Sequence, residues 1–175
     1  ESLSVDKNVI KEAREKGGPI LLSGVFQRAD TPNANKRRYP KKVLEREVAT
    51  FENLIKRNQA CGQLDHPSDS VVELGNVSHI IREATMDENG VVHGILEVLD
   101  TPSGKILRSL VESNVKIGIS SRAVGNTIKE GDHDLVDDSL SLISFDCVGD
   151  PSTPDAFLMR EAKIVSMDEF KKIFT

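Results

Sequence analysis

The sequence is poor in aromatic side chains and carries no excess of positive charge. It has no tryptophan and one tyrosine, and aromatic residues make up 4% of its 175 residues. So few rings leave little surface on which unpaired bases could stack. The formal net charge of −5 also argues against nucleic acid as a partner, because binding to phosphates normally requires a basic surface. The composition therefore predicts a protein that does not bind nucleic acid.

Long apolar runs and paired cysteines are also absent. No apolar run approaches the length that crosses a bilayer, and no signal peptide opens the sequence. The two cysteines, Cys61 and Cys147, lie far apart and form no CxxC motif, which is typical of free thiols in a reducing compartment. We therefore expect a soluble, cytoplasmic protein that makes no contact with a membrane.

The overall composition and the apolar patterns fit a single domain that contains both helices and strands. Hydrophobic residues make up 38% and charged residues 29% of the chain, as in ordinary globular proteins of this length. The apolar patterns predict, in chain order, a helix over residues 5–16, a strand over 19–26, a helix from 40, a hairpin over 73–99, a helix over 102–113, strands over 114–125 and 134–148, and a helix over 166–174. Because the strands outnumber the helices and mostly follow one another, we expect an α+β fold with a mainly antiparallel, barrel-like sheet flanked by helices.

The segment GISSRAVG, residues 118–125, places a serine on a strand that leaves room for another chain. Alternation along the strand puts Ile117, Ile119 and Ser121 on the core face and Ser120 on the more open face. Gly118, beside Ser120, allows another backbone to approach. Ser120 is therefore a candidate nucleophile, and Ser121 is expected to bond to backbone. Taken alone, the segment fits two small strand residues better than it fits a nucleophile.

The segment GQLDHP, residues 62–67, holds a histidine in a restricted backbone. Pro67 disfavours the helical conformation for the residue before it, so His66 is held extended. A general base must lie within about 3 Å of the hydroxyl that it deprotonates, and a serine needs such a base to become a good nucleophile. His66 is thus a candidate base. The alternative is a histidine that only ends a helix-to-strand connection.

Asp146 is an acid within an apolar strand, LISFDCV. Burial of such a group is costly unless it is hydrogen-bonded or paired. Orienting an imidazole, as the aspartate of a Ser-His-Asp triad does, would compensate that cost. An aspartate that accepts bonds from the turn before Pro151 is an equally good interpretation of the pattern.

Other chemistries find less support in the sequence. The side chains that could bind a metal show neither HExxH nor close ligand spacing; they are Asp65, His66, His79, His93 and His133. We therefore predict no metal and no cofactor. Cys147 shares a strand face with apolar residues, which indicates a buried, unreactive thiol and not a nucleophile.

Four motifs together resemble a known family. NANKRRYP at 33–40, GQLDHP at 62–67, GISSRAVG at 118–125 and SFDCVGDPSTPDA at 144–156 resemble the prohead core proteases of tailed bacteriophages, particularly the T-even-like group. Those enzymes look like distant relatives of herpesvirus assemblin. The resemblance runs from about residue 19 to residue 156. It implies one protease domain over residues 1–175, with an N-terminal helix over 1–18, a catalytic core over 19–156 and a C-terminal strand and helix over 157–175.

The resemblance also implies site residues. Ser120 would be the nucleophile, His66 the base and Asp146 the third member, where assemblin has a histidine. For the oxyanion it implies Arg122, which completes the SSR motif, or N–H groups of Gly149 and Asp150. Assemblin has arginine in the loop that holds these last two residues, and this chain does not.

The implied function is a serine endopeptidase of bacteriophage prohead maturation. Its substrates would be scaffold or core proteins and the major capsid protein precursor, cleaved inside the assembling prohead in the host cytoplasm. Self-cleavage and homo-oligomer formation are compatible with the resemblance. The alternative is a catalytically inactive core or scaffold protein with the same fold. The polar segment over residues 28–38 is predicted to be a mobile loop near the substrate groove.

Overall fold

A computed structural model describes residues 19–160 of the chain. Its elements, in chain order, are β1 (Ile20–Arg28), β2 (Arg37–Arg38), α1 (Lys41–Lys56), β3 (Cys61–Gln63), a 3₁₀ turn (Leu74–Asn76), β4 (Val77–Met86), β5 (Val91–Val98), α2 (Pro102–Glu112), β6 (Gly118–Val124), β7 (Thr127–Glu130), β8 (His133–Val136), β9 (Ser141–Val148) and β10 (Met159–Arg160). The helices predicted over residues 5–16 and 166–174 lie outside the described residues.

The largest sheet has five antiparallel strands in the order β10-β1-β5-β4-β3. The predicted hairpin is confirmed as β4 and β5. Asp87 shapes its turn by accepting hydrogen bonds from the N–H groups of Asn89 and Val91, and Gly90 takes the left-handed conformation with φ of 77°. The 3₁₀ turn shortens the strand that was predicted to begin at residue 73, so that β4 begins at Val77.

The helix predicted from residue 40 is confirmed as α1. Leu44, Val48 and Phe51 recur at helical spacing and are buried. Phe51 meets the ring of Phe145 on β9 edge-on, with centroids 5.3 Å apart, and Phe26 of β1 packs on the same ring in a tilted arrangement with centroids 5.0 Å apart. These three rings join α1, β1 and β9 in the core, and Phe145 immediately precedes Asp146 on β9.

Strands β6 and β9 form a separate two-stranded antiparallel sheet, and β2, β8 and β7 form a third. The expected barrel is wrong in this respect, because no continuous ladder closes the sheets of residues 19–160. Two single bridges join the five-stranded sheet and its flanking chain to the β6–β9 pair, Leu64 with Cys147 and Gly118 with Phe157. The strand predicted over 134–148 is likewise divided, since Asp137 accepts the N–H of Ser139 and turns the chain between β8 and β9. The result is still an α+β fold with mostly antiparallel sheets.

Within the described part of the chain, neither helix has the length and apolar character needed to cross a membrane.

Candidate active site

The pairing of β6 with β9 brings two of the predicted site residues together. Ser120 lies directly opposite Asp146 in the antiparallel register, and opposite residues of such a pair project from the same face. The side chain of Asp146 is fully buried, and Ser120 is only 5% exposed. The face that alternation predicted to be open is therefore covered. Ser121 is half-buried, and its hydroxyl accepts a hydrogen bond from the Gln27 amide at 2.9 Å, not from backbone.

His66 reaches the same place from the segment that follows β3. The N–H of Asp65 donates to the carbonyl of Cys147 at 2.8 Å, which fixes this segment beside β9. Asp65 has a φ of 57°, a left-handed conformation that aspartate tolerates. The chain thus turns so that the Nδ1–H of His66 donates to Oδ2 of Asp146 at 2.8 Å. This contact assigns the proton to Nδ1 and leaves Nε2 as the acceptor nitrogen.

The buried carboxylate of Asp146 is well supplied with donors. Oδ1 accepts from the Gln63 N–H and from the Ser144 hydroxyl, each at 3.0 Å. Burial opposes ionisation, but the bonds from His66 and Gln63 and the charge of Arg122 outweigh it, so the pKa of Asp146 lies below its ordinary value. The backbone donor is thus Gln63 on β3, and not the turn before Pro151 that the alternative interpretation required.

Arg122 is buried beside this carboxylate, with Nε 3.0 Å from Oδ2 of Asp146. Its guanidinium N–H groups have the following hydrogen-bond acceptors: the Ser144 hydroxyl at 3.2 and 3.1 Å, the Asp69 and Val71 carbonyls at 3.1 Å each, Gln63 Oε1 at 3.0 Å and Asp146 Oδ1 at 3.3 Å. A guanidinium has five N–H donors, and these contacts engage all three of its nitrogens. Arg122 therefore offers no N–H to a substrate oxygen in this arrangement, which removes the ground for naming it an oxyanion donor.

A cavity of about 300 Å³ opens above these residues. Ser120 and His66 line it, together with Asn35, Arg37 and Ser152. Asn35 and Arg37 of the polar segment over residues 28–38 thus lie beside the cavity, although both ends of the segment belong to strands, β1 and β2. That the segment is a mobile loop near a substrate groove stays a prediction. A larger, more apolar cavity of about 670 Å³ lies elsewhere, against β1 and β5, and is lined by neither Ser120 nor His66.

The loop between β9 and β10 approaches Ser120 differently from the prediction. Gly149 and Asp150 are exposed and do not line the cavity, whereas Ser152 does. The Ser152 hydroxyl oxygen lies 3.5 Å from that of Ser120. Gly118 does admit a close approach, but the neighbour is Pro151: a Cβ at residue 118 would lie 2.6 Å from its Cδ. The absence of a side chain at Gly118 therefore allows Pro151 of this loop to pack against β6.

The other histidines and the buried cysteine have local partners. Burial lowers the pKa of His79 to about 4, although the Phe145 carbonyl that receives its Nε2–H opposes that shift. His93 contacts Asp87 on the surface. Burial raises the pKa of the Cys147 thiol far above its usual range, which suits an unreactive group. Across residues 19–160, no three side chains of the His, Cys, Asp and Glu types are grouped so as to hold a metal ion.

Three residues of this site were not predicted from the sequence: Gln63, Ser144 and Ser152. Ser144 precedes Asp146 by two positions, so alternation along β9 would have placed both on one face. Gln63 and Ser152 carry no comparable signal, because they reach the site through the pairing of β3 and the path of a loop.

Comparisons with known proteins bear on the family and the fold of the chain. The sequence model of the family described as prohead core protein serine protease matches residues 6–168. Over 144 residues the chain is 31% identical to the prohead core protein protease of Enterobacteria phage T4, an alignment that covers 79% of this chain and 68% of that protein. The solved structure of the bacteriophage T4 capsid assembly protease gp21 matches with a TM-score of 0.71 at 27% identity, covering 75% of this chain and 82% of the T4 chain.

Proposed function

The chain belongs to the prohead core serine protease family and is a protease of bacteriophage capsid assembly; from this premise we propose that it is a serine endopeptidase with a Ser-His-Asp mechanism. Its proposed substrates are the scaffold or core proteins and the major capsid protein precursor, cleaved inside the assembling prohead. The observation that carries the proposal is the contact between His66 and the buried Asp146 beside a cavity that Ser120 also lines.

The proposed first step is attack by Ser120 on the scissile carbonyl. Nε2 of His66 accepts the hydroxyl proton as the bond from Oγ to the carbonyl carbon forms and the carbonyl electron pair moves onto oxygen. His66 then returns that proton to the leaving amine as the peptide C–N bond breaks. Water, deprotonated by the same nitrogen, hydrolyses the acyl-enzyme and restores the serine.

Asp146 supports this cycle as a fixed anion. Its hydrogen bond to Nδ1–H holds the imidazole in one tautomer, and its charge stabilises the imidazolium that forms during attack. Because its pKa is lowered, it stays ionised at neutral pH. Arg122 balances part of that charge.

Labelling with a serine-directed fluorophosphonate, followed by peptide mapping, tests the nucleophile without knowledge of the cleavage site. We expect one adduct, on Ser120, and its loss in Ser120→Ala. Ser121→Ala is the matched control because it removes the neighbouring hydroxyl, and it should still be labelled. An adduct that persists in Ser120→Ala would refute the assignment.

Incubation with a purified scaffold protein or capsid protein precursor tests the activity itself. We expect cleavage that falls about 10⁴-fold or more in Ser120→Ala and that survives metal chelators. Mass analysis of the enzyme after the reaction would detect self-cleavage, and sedimentation would give the oligomeric state. A folded chain that neither takes the label nor cleaves would favour the inactive core or scaffold protein instead.

A further inference from the structure

We propose that the hydroxyl of Ser152 donates a hydrogen bond to the oxyanion that forms when Ser120 attacks a substrate. The inference rests on the proposed serine mechanism, which needs a donor at this position because the tetrahedral intermediate carries a negative oxygen. Arg122 cannot supply it, since its nitrogens are engaged with Asp146 and other acceptors of the protein.

The position of Ser152 suits this role. Its Oγ lies 3.5 Å from Oγ of Ser120, which is longer than an ordinary O–H···O hydrogen bond. The oxyanion and the attacking oxygen are bonded to the same carbon, so the oxyanion forms next to Ser120 Oγ. An effective donor lies about 2.7–3.1 Å from that oxyanion, and a hydroxyl at this distance from Ser120 is within reach of it. Within residues 19–160 the Ser152 hydroxyl has no second hydrogen-bond partner, so it is available to turn towards a substrate.

The loop that carries Ser152 is held in place before any substrate arrives. The Ser152 carbonyl accepts the Ala34 N–H at 2.9 Å. The next residue, Thr153, is buried and donates its hydroxyl to Oε1 of Gln27 at 2.6 Å. Further along, the carbonyl of Ala156 accepts the Ile119 N–H at 2.9 Å, which fastens the loop to β6 beside the nucleophile.

Two prolines restrict the loop further. Pro151 and Pro154 flank the Ser152–Thr153 pair, and each fixes its own φ. A donor held in this way needs little reorganisation as negative charge develops, and that preorganisation is the physical basis of oxyanion stabilisation. Gly149 and Asp150, the residues first considered for this role, lie in the exposed part of the same loop.

The test compares Ser152→Ala with the wild type in the labelling rate with a fluorophosphonate and in kcat/KM on a capsid protein precursor. Loss of one oxyanion donor should lower both by about 10²–10³-fold, with KM nearly unchanged. Ser152→Thr keeps the hydroxyl and should retain most of the activity. Ser113→Ala removes an exposed hydroxyl at the end of α2 and should behave as wild type. Thermal unfolding of each variant verifies the fold, and Ser152→Cys, a weak donor of similar size, replaces Ser152→Ala if the latter does not fold.

A peptide aldehyde separates an oxyanion donor from a residue that only holds Ser120. It forms a reversible tetrahedral adduct with the serine, so its affinity should fall by the same factor as kcat/KM in Ser152→Ala. Unchanged aldehyde affinity, a loss expressed in KM alone, or an inactive but folded Ser152→Thr would overturn the inference.

Failure of this inference can be distinguished from failure of the proposed function. If Ser120→Ala abolishes activity and Ser152→Ala keeps it within about threefold, the inference is wrong and the serine mechanism stands, because a lost donor should cost far more. If Ser120→Ala keeps its activity, the mechanism itself fails.

Discussion

Replacement of Arg122 by methionine would leave Asp146 as a buried charge without its cationic partner. The two side chains are 7% and 0% exposed, with Nε of one 3.0 Å from Oδ2 of the other. Removing one partner of a buried ion pair typically costs about 3–5 kcal/mol. For a domain of this size about 1 kcal/mol corresponds to 2–4 °C in Tm, so Arg122→Met should unfold about 6–20 °C below the wild type. Thermal denaturation followed by circular dichroism measures this.

The loss of stability in Arg122→Met should depend on pH, because it depends on whether the carboxyl group of Asp146 is ionised. In the wild type the lowered pKa of Asp146 contributes stability above the carboxyl's unfolded pKa, and that contribution is lost as pH falls through the folded pKa. Without Arg122 the carboxyl protonates more readily because burial dominates. The difference in unfolding free energy between Arg122→Met and wild type should therefore be largest near pH 7 and shrink towards pH 4.

A double variant and a surface variant test whether the buried ion pair is the cause of the lost stability. Arg122→Met combined with Asp146→Asn removes the orphaned charge and should recover part of the lost stability. Arg38→Met breaks an exposed pair with Glu130 and should change Tm little, since exposed pairs contribute weakly. If Arg122→Met melted with the wild type, or if the double variant were no more stable than Arg122→Met alone, the buried pair would not be the stabilising feature described here.

Three further outcomes are expected. Asp146→Asn should lower kcat of precursor cleavage about 10⁴-fold at neutral pH, while a near-normal KM would show that substrate binding survives. His79 has a pKa of about 4 in the folded state and about 6.5 in the unfolded chain, so the unfolded chain binds protons more readily. Urea titrations should therefore show about 3 kcal/mol of stability lost between pH 6.5 and pH 4. His79→Gln should reduce this dependence of stability on pH. Gly62→Ala should destabilise the fold by about 1–3 kcal/mol, because the new Cβ would overlap Nε2 of His79 and a backbone carbonyl. Gly75→Ala is the control and should not destabilise the fold, since nothing lies within 4 Å of a Cβ at that position. Equal melting temperatures of the two variants would contradict the packing argument.

Local patterns predicted those elements whose side chains repeat with a clear period. The stripe of Leu44, Val48 and Phe51 defined α1, and the alternating run after the 87–90 turn defined the hairpin. The turn between β8 and β9, where Asp137 accepts the N–H of Ser139, was not predicted. The prediction of a closed, barrel-like sheet was also wrong, because the continuity of the hydrogen-bonded ladder depends on strand register over the whole molecule and not on any single strand.

The sequence by itself determined the kinds of groups available: a serine near a glycine on a strand, a histidine followed by Pro67, and an acid in an apolar run. Each follows from neighbouring residues, since backbone restriction and alternation act over a few positions. Only the tertiary structure decided which of these side chains are in contact. It turned Arg122 towards Asp146 and brought Ser152 to Ser120. Those contacts join residues 24 and 32 positions apart, and such distances are set by strand pairing and loop anchoring in the folded chain.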